Sequence, residues 1–277
     1  MSRTFVIAEA AACHDGDLDK AYRLITLASE SGADAVKVQW LSSPQRLAER
    51  RRAPEYLDAY RLLAFPREWF PLLKARCEAR KIELLCTCYL PEDIAVIAPY
   101  VTRFKVASFE ATDAHFVALH AEWPDKPLII SAGMGADFSA SVAAYMSGYR
   151  RQARGPITIL HCVSAYPCPE DQANLAVLRA DIFRDHLQAG GLSDHTRHPW
   201  TGALAVAAGA KVIEFHVRLM DTDPANADYA VARPPEEALE YVRNIRFAET
   251  AMGDGVRRVM PSEESMLRYR VGGAPPC

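Results

Sequence analysis

The sequence predicts an α/β fold, a single (β/α)8 TIM barrel, and three observations carry that expectation. Apolar runs that read as strands alternate eight times with segments that read as helices, at a spacing of roughly 30 residues. The runs are continuously apolar rather than alternating, which suits parallel strands buried on both faces. Nearly every run also ends in a polar side chain: Glu9, Lys37 with Gln39, Thr87, Lys105 with Ser108, Ser131, Ser164, Ser193 with His195, and Glu214 with His216. Strand C-termini in such a barrel converge on one mouth, where active sites form. The rival architecture is a doubly wound open sheet. It lacks support, because no Gly-x-Gly-x-x-Gly run follows a strand.

Phe5 to Ala8 is the first strand, ending at Glu9. Asp17 then opens a helix with Leu18, Ala21, Leu24, Ile25 and Ala28 on one face and Gly32 as its stop. Residues 33–40 form the second strand and carry Lys37 and Gln39. Residues 41–65 are expected to be a long polar, arginine-rich connection, helical in part around Tyr56 to Leu63. A helix over 67–80 leads to a strand over 82–86, and Pro91 starts a short helix. Phe104 to Ser108 is the fourth strand, and Asp113 caps a helix reaching about Ala121. Pro127 to Ile130 closes on Ser131-Ala132-Gly133, followed by a helix over 139–149. Ile157 to Leu160 runs into His161, and a helix is expected over 174–186. A strand–helix–strand unit spans Gly191 to Val217. Pro234 and Pro235 then open a helix with Leu239, Val242, Ile245 and Met252 on one stripe, stopped by Gly253. Residues 1–253 are therefore read as one barrel domain and 254–277 as a C-terminal tail.

A chain of 277 residues with 50% hydrophobic content can bury one barrel-sized core. The net charge is −3, with both signs mixed along the chain and no basic stripe, so nucleic acid and anionic membranes are excluded as expected partners. Met1-Ser2-Arg3-Thr4 leads straight into a strand without a signal-peptide pattern, and no apolar stretch is long enough to span a bilayer. Seven cysteines with no export signal read as reduced thiols, and the expected location is cytoplasmic.

The barrel reading sets His195 and His216 side by side at neighbouring strand ends. Two imidazoles with open positions suit Mn, Fe, Co or Zn and leave room for a substrate oxygen and water, while no carboxylate stands out as a third ligand. Lys37 and Lys105 lie inside apolar strands, where an ammonium is costly to bury without an anionic partner. With Thr87, Ser108, Ser131 and Ser193 on the same rim they suit a phosphate or carboxylate, although a lysine there could instead form a Schiff base. Glu9, Glu110 and Asp228, at or just past strand ends, are candidates for orienting hydroxyls or for acid–base work; loop acids such as Glu110 and Asp228 are more often solvated. Glu214, two residues before His216, faces the same way. Cys86 and Cys88 have no second pair at zinc-site spacing and read as plain thiols. His161 reads as structural, and His14-Asp15-Gly16 as a turn or part of the rim.

These segments together resemble the sialic acid synthase family, which includes the legionaminic and pseudaminic acid synthases. The likeness is carried by Ile7-Ala8-Glu9, His14-x-Gly16-Asp17, Gly32-Ala33-Asp34-Ala35-Val36-Lys37-x-Gln39, Lys105-x-Ala107-Ser108 and Ser131-x-Gly133-Met134. It continues through Leu160-His161-Cys162, Tyr166-Pro167-x-Pro169, Ser193-Asp194-His195-Thr196 and Ile213-Glu214-x-His216. The resemblance implies a TIM barrel that condenses phosphoenolpyruvate with an aldose, making a 2-keto-3-deoxy acid sugar and inorganic phosphate. It implies a divalent metal on His195 and His216, typically manganese, with magnesium, cobalt and zinc as other occupants. Lys37, Thr87, Lys105, Ser108, Ser131, Ser164, Tyr166 and Ser193 would then hold phosphoenolpyruvate. Gln39, Glu110 and Asp228 would meet the acceptor sugar, as would Glu9, and Glu9 and Glu214 are the catalytic candidates.

The chain departs from the family pattern in places. Cys13-His14-Asp15-Gly16 stands where the family has Asn-His-Asn-Gly, and Thr87-Cys88-Tyr89 where it has Thr-Pro-Phe. Ser164 replaces an Asn, Ala132 a Thr, and Asn226-Ala227-Asp228-Tyr229 a Gly-Pro-Asp-His. The tail after Gly253 matches the start of the family's linker, and the small antifreeze-like domain that follows it in the family is not in this sequence. In the family that domain reaches across a dimer and lends an arginine to the acceptor pocket. A homodimer is therefore expected, or a separate partner that replaces the domain, and the acceptor stays open. Two rival functions share the sequence features: a metal-dependent pyruvate aldolase or lyase, and a non-catalytic ligand-binding barrel.

Overall fold

Eight strands close into a parallel barrel in chain order, each paired with the strands before and after it and the first with the last. They are β1 (Phe5–Ala11), β2 (Ala35–Gln39), β3 (Glu83–Thr87), β4 (Phe104–Val106), β5 (Leu128–Ala132), β6 (Ile157–Cys162), β7 (Ala189–Asp194) and β8 (Val212–His216). The structure is a computed structural model and describes residues 3–135, 137–149, 157–179 and 189–272. The (β/α)8 barrel expected from the apolar runs is the fold.

The helices that clothe the barrel start and stop where capping chemistry directs. In α1 (Leu18–Ser31), Asp17 accepts from the amides of Asp19 and Lys20, and Gly32 closes the helix at φ 86°. Leu24 and Ile25 of α1, and Val242 and Ile245 of α9 (Pro235–Met252), are almost fully buried against the strands. Burying each such side chain contributes about 1.5–3 kcal/mol.

Strand periodicity decides what lines the barrel. Ile7, Ala35, Leu85, Ile129, Leu160 and Val212 form an apolar plug inside it. Side chains on a strand face the same way every second residue. The next inward positions are therefore Glu9, Lys37, Thr87, Ser131, Cys162 and Glu214, and all of them line a cavity above the plug. The intervening residues, such as Ala8, Val36, Cys86, Ile130 and Phe215, face the helices and form the main core. The register adds detail: Glu9 is paired with Lys37 on one side and His216 on the other, Thr87 with Lys105, and Ser193 with Glu214.

Two sequence expectations need correction. The polar connection expected over 41–65 holds a helix not expected there, α2 (Pro44–Arg51), ahead of α3 (Leu57–Leu63), which lies where partial helix was expected. Ser43 caps α2 and Pro44 opens its first turn, a start signal present in the sequence. Only Leu47 and Ala48 are buried on α2, too few to make a visible stripe. Together with Leu41, Tyr60, Leu63 and Tyr89 they form a satellite core beside the cavity mouth. The helix expected over 174–186 begins as a 3-10 helix, Leu175–Arg179, and the remainder of that stretch lies outside the described residues.

The other helices are α4 (Trp69–Arg80), α5 (Pro91–Ile97), α6 (Ala114–Leu119), α7 (Ser139–Tyr149) and α8 (Thr201–Ala208). Residues 254–272 are almost wholly exposed and carry a 3-10 helix over Pro261–Tyr269. Among the described residues, six cysteines are free and buried. No described helix is long and apolar enough to cross a membrane.

Candidate active site

The cavity at the strand C-termini has a volume of about 820 Å³. Every site residue proposed from the sequence lines it: Glu9, Lys37, Gln39, Thr87, Lys105, Ser108, Glu110, Ser131, Ser164, Tyr166, Ser193, His195, Glu214, His216 and Asp228.

Its inner half answers the cost of burying two lysines. Lys37 Nζ is ion-paired with Glu9, donates to Thr87 Oγ1 at 3.0 Å and lies 3.7 Å from Glu214 Oε2. Lys105 Nζ lies 3.3 Å from Glu214 Oε1, which also accepts from Ser193 Oγ at 2.9 Å. Each ammonium thus has a carboxylate beside it, as a buried charge requires. Burial, opposed by Glu214 and assisted by Lys105, brings Lys37 down to about 8, so it is still mostly an ammonium at pH 7. Burial works to raise the Glu214 carboxyl, but Lys105 and Lys37 outweigh it and hold the group well below its usual range. Glu214 is therefore a carboxylate throughout the neutral range.

Several donors around these charges are unspent. Ser131 Oγ is buried with no partner, while the Ser108 and Ser164 hydroxyls share one hydrogen bond of 2.9 Å. That pair depends on Gly133, where a Cβ would come within 2.5 Å of Ser164 Oγ and 2.9 Å of Cys162 Sγ. Only glycine lets the tip of β5 approach β6 so closely.

The two histidines stand beside this pocket. His195 Nδ1 lies 2.6 Å from the carbonyl oxygen of Val163. A carbonyl can only accept, so Nδ1 carries the hydrogen and Nε2 keeps its lone pair. Burial first, then His216, pull His195 down to about 3, which leaves the ring neutral. His216 Nδ1 lies 3.2 Å from Asp228 Oδ1, close enough for an ion pair but without hydrogen-bond alignment. The ring centroids are 5.3 Å apart, and Tyr166 packs on both rings. Behind His195, Asp194 accepts from Thr196 N at 2.8 Å, Tyr241 Oη at 2.5 Å and Arg233 Nη2 at 3.3 Å.

The residues present fit a divalent metal. Imidazoles bound through one nitrogen each at about 2.1 Å to a shared ion place their centroids roughly 5 Å apart. Carbonyl and carboxylate oxygens beside the remote nitrogens are the usual outer support of such ligands. Among the described residues no group of three or more His, Cys, Asp or Glu is arranged to hold an ion. The candidate is therefore a two-histidine site whose other positions would fall to substrate oxygen or water.

The outer half is lined by Gln39, Glu110 and Asp228, and by residues the sequence reading missed. Gln39 Oε1 accepts from Tyr89 Oη at 2.6 Å. Glu110 is buried rather than solvated, its Oε1 accepting from Arg51 Nε at 2.9 Å and Nη2 at 2.7 Å. Asp228 sits on a loop pinned by Asn226 Nδ2, which donates to Ala12 O at 2.8 Å and Asp15 Oδ1 at 3.0 Å. Arg50 and Arg51 come from α2, whose helical start was visible in Ser43-Pro44 but whose inward arginines were not.

The remaining candidates take structural places. His14 packs edge-on against Phe65 and Trp69, and its Nδ1 accepts from Gly16 N at 3.0 Å, so it belongs to the turn and not the rim. His161 Nε2 lies 2.9 Å from Ala173 O, a structural tie. Burial pushes the Cys86 and Cys88 thiols well above their usual value, so neither is a ready ligand.

A closed barrel with an ammonium pair, a ring of hydroxyls and two histidines at one mouth defines an enzyme of the (β/α)8 class. The chain belongs to the NeuB family, which it matches over residues 24–257. It is 33% identical over 273 residues to an uncharacterized protein of Methanocaldococcus jannaschii, covering 95% of this chain and 76% of that one. It is 31% identical over 284 residues to the N,N'-diacetyllegionaminic acid synthase of Campylobacter jejuni, covering 96% and 83%. The crystal structure of an N-acetylneuraminic acid (sialic acid) synthetase from Leptospira borgpetersenii, in complex with citrate, superposes with a TM-score of 0.85 at 27% identity, covering 97% and 92%. The resemblance read from the motifs is borne out at the level of family and fold.

Proposed function

We propose that this enzyme condenses phosphoenolpyruvate with an aldose, releasing inorganic phosphate and forming a 2-keto-3-deoxy acid sugar. The observation that carries the reading is the gathering of Lys37 and Lys105, both beside Glu214, in one cavity with His195, His216 and a set of hydroxyls. The synthases among its relatives support the same reaction class.

Phosphoenolpyruvate is polyanionic, and the inner half holds the matching donors. Lys37, Lys105, Thr87, Ser108, Ser131, Ser164 and Ser193 bind its phosphate and carboxylate, with Tyr166 closing over them. The acceptor aldehyde lies in the outer half between Gln39, Glu110 and Asp228. His195 and His216 would hold a divalent ion, manganese by family likeness or magnesium, cobalt or zinc, which would supply polarisation of the aldehyde oxygen. The enol carbon then forms a bond to the aldehyde carbon, water adds at the neighbouring carbon, and the carbon–oxygen bond to phosphate breaks. Glu214, held as a carboxylate by both lysines, orients that water and Ser193. Glu9 keeps Lys37 charged and aimed at the phosphate.

The test is phosphate release from phosphoenolpyruvate with manganese and a panel of aldoses. Acceptor-dependent release is expected. Adduct formation from pyruvate without phosphate would assign a lyase instead, and silence across a broad panel would assign a binding role.

A further inference from the structure

Arg51 and Glu110 make an asymmetric contact. Both donors of the arginine fork, Nε and Nη2, converge on Oε1 of Glu110 at 2.9 and 2.7 Å. The other oxygen, Oε2, is buried and has no hydrogen-bond partner, on a side chain that lines the cavity. The guanidinium is itself held, with its carbon 4.8 Å from the ring centroids of Tyr89 and Phe109 and 5.7 Å from that of Tyr60. The neighbouring Arg50 is spent on Asp113 at 2.8 Å, so it does not compete for Glu110.

We propose that Arg51 is a positioning residue for the acceptor aldehyde: it fixes Glu110 through one oxygen so that the other accepts a hydrogen bond from a hydroxyl or amide N–H of that aldehyde. The inference rests on the synthase reading above and deepens it. A buried carboxylate oxygen with no partner is expensive, and a donor arriving with the substrate removes that cost. Burial pushes the Glu110 carboxyl up, Arg51 and then Arg50 pull it back, and Asp113 adds to the rise, so Arg51 is the main group that keeps it an acceptor. A purely structural clamp between α2 and the loop after β4 would also use Oε1, but it would have no reason to leave Oε2 without a partner on a side chain that lines the cavity.

The experiment is steady-state kinetics of the full chain with phosphoenolpyruvate, manganese and aldoses, among them D-mannose, D-arabinose and their 2-acetamido counterparts. Arg51→Met is expected to raise the acceptor KM about ten-fold or more while the KM for phosphoenolpyruvate moves less than about two-fold. Arg51→Lys, which keeps the charge but not the fork, should recover part of the loss. Glu110→Gln should raise the acceptor KM similarly, and adding Arg51→Met to it should add less than about two-fold, because one residue acts through the other. Additive effects, or equal rises in both KM values, overturn the proposal. If Arg51→Met does not fold, an unchanged acceptor KM in Glu110→Gln overturns it alone. No release by the wild type with any aldose overturns the synthase reading and this inference with it. Release by the wild type with an unchanged acceptor KM in Arg51→Met overturns this inference alone.

Discussion

His195 and His216 stand with ring centroids 5.3 Å apart at the ends of neighbouring strands, His195 Nδ1 held by the Val163 carbonyl and His216 Nδ1 lying 3.2 Å from Asp228 Oδ1. The relationship joins register to chemistry: parallel pairing of β7 with β8 brings the two strand ends to the same level, so that two rings share one space. Replacing either ring by alanine should abolish manganese binding in calorimetric titration and lower turnover by about a thousand-fold or more. The barrel should still melt cooperatively, since neither imidazole belongs to the main core. Tight manganese binding by His216→Ala would show that the ion sits elsewhere.

Lys37 should give the enzyme an alkaline limb. Its ammonium form is the one that binds an anion, and burial, against Glu214 and with Lys105, has lowered its pKa to about 8. The charged fraction therefore falls as pH rises through that value, and kcat/KM for phosphoenolpyruvate should fall with it, since that ratio reports the free enzyme. In Lys37→Gln the ratio should be low throughout and this limb absent. A wild-type profile flat to about pH 10, the range of an ordinary lysine, would contradict the assignment.

Arg233 should matter for stability more than for chemistry. It is almost wholly buried, donates to Asp194 Oδ2 and, at 2.8 Å, to the carbonyl of Thr196, and packs 4.1 Å from the Tyr241 ring centroid. Removing one member of a buried ion pair strands the other, at a cost of about 3–5 kcal/mol. Arg233→Met should lower the denaturant midpoint accordingly. Tyr241→Phe, which removes one hydrogen bond to the same carboxylate, should cost about 1 kcal/mol.

Gly133→Ala tests the contact between the β5 and β6 tips. The new methyl would meet Ser164 Oγ and Cys162 Sγ well inside contact distance. Overpacking of this kind costs about 1–3 kcal/mol. It should also raise the KM for phosphoenolpyruvate, because the displaced group is the Ser108–Ser164 hydroxyl pair. Wild-type values for both would place that serine pair outside the substrate site.

Much of the site was legible because a strand has a period of two and a barrel has one open mouth. Polar residues at the ends of apolar runs, from Glu9 to His216, had to gather there once the barrel was accepted. Arg51 was not legible for the opposite reason. It lies in a run of three arginines at the end of a short helix with two buried residues, and nothing local marks Arg50 and Arg51 as lining the cavity. Glu110 and Asp228 were named as site candidates, but their degree of burial was not legible, since a loop acid reads as solvated until the groups beside it, Arg51 for the buried Glu110 and His216 for the half-buried Asp228, are in place.

By itself the sequence determined the barrel, its strand order, the layer of polar side chains above the apolar plug and the family. These follow from local rules, periodicity and capping, that need no distant contact. Only the tertiary structure decided which charges are matched, that Glu214 serves both lysines, that Glu110 is clamped on one side only and that the His195 and His216 rings stand 5.3 Å apart. Those are distances between groups far apart along the chain, and they exist only once the eighth strand has closed on the first.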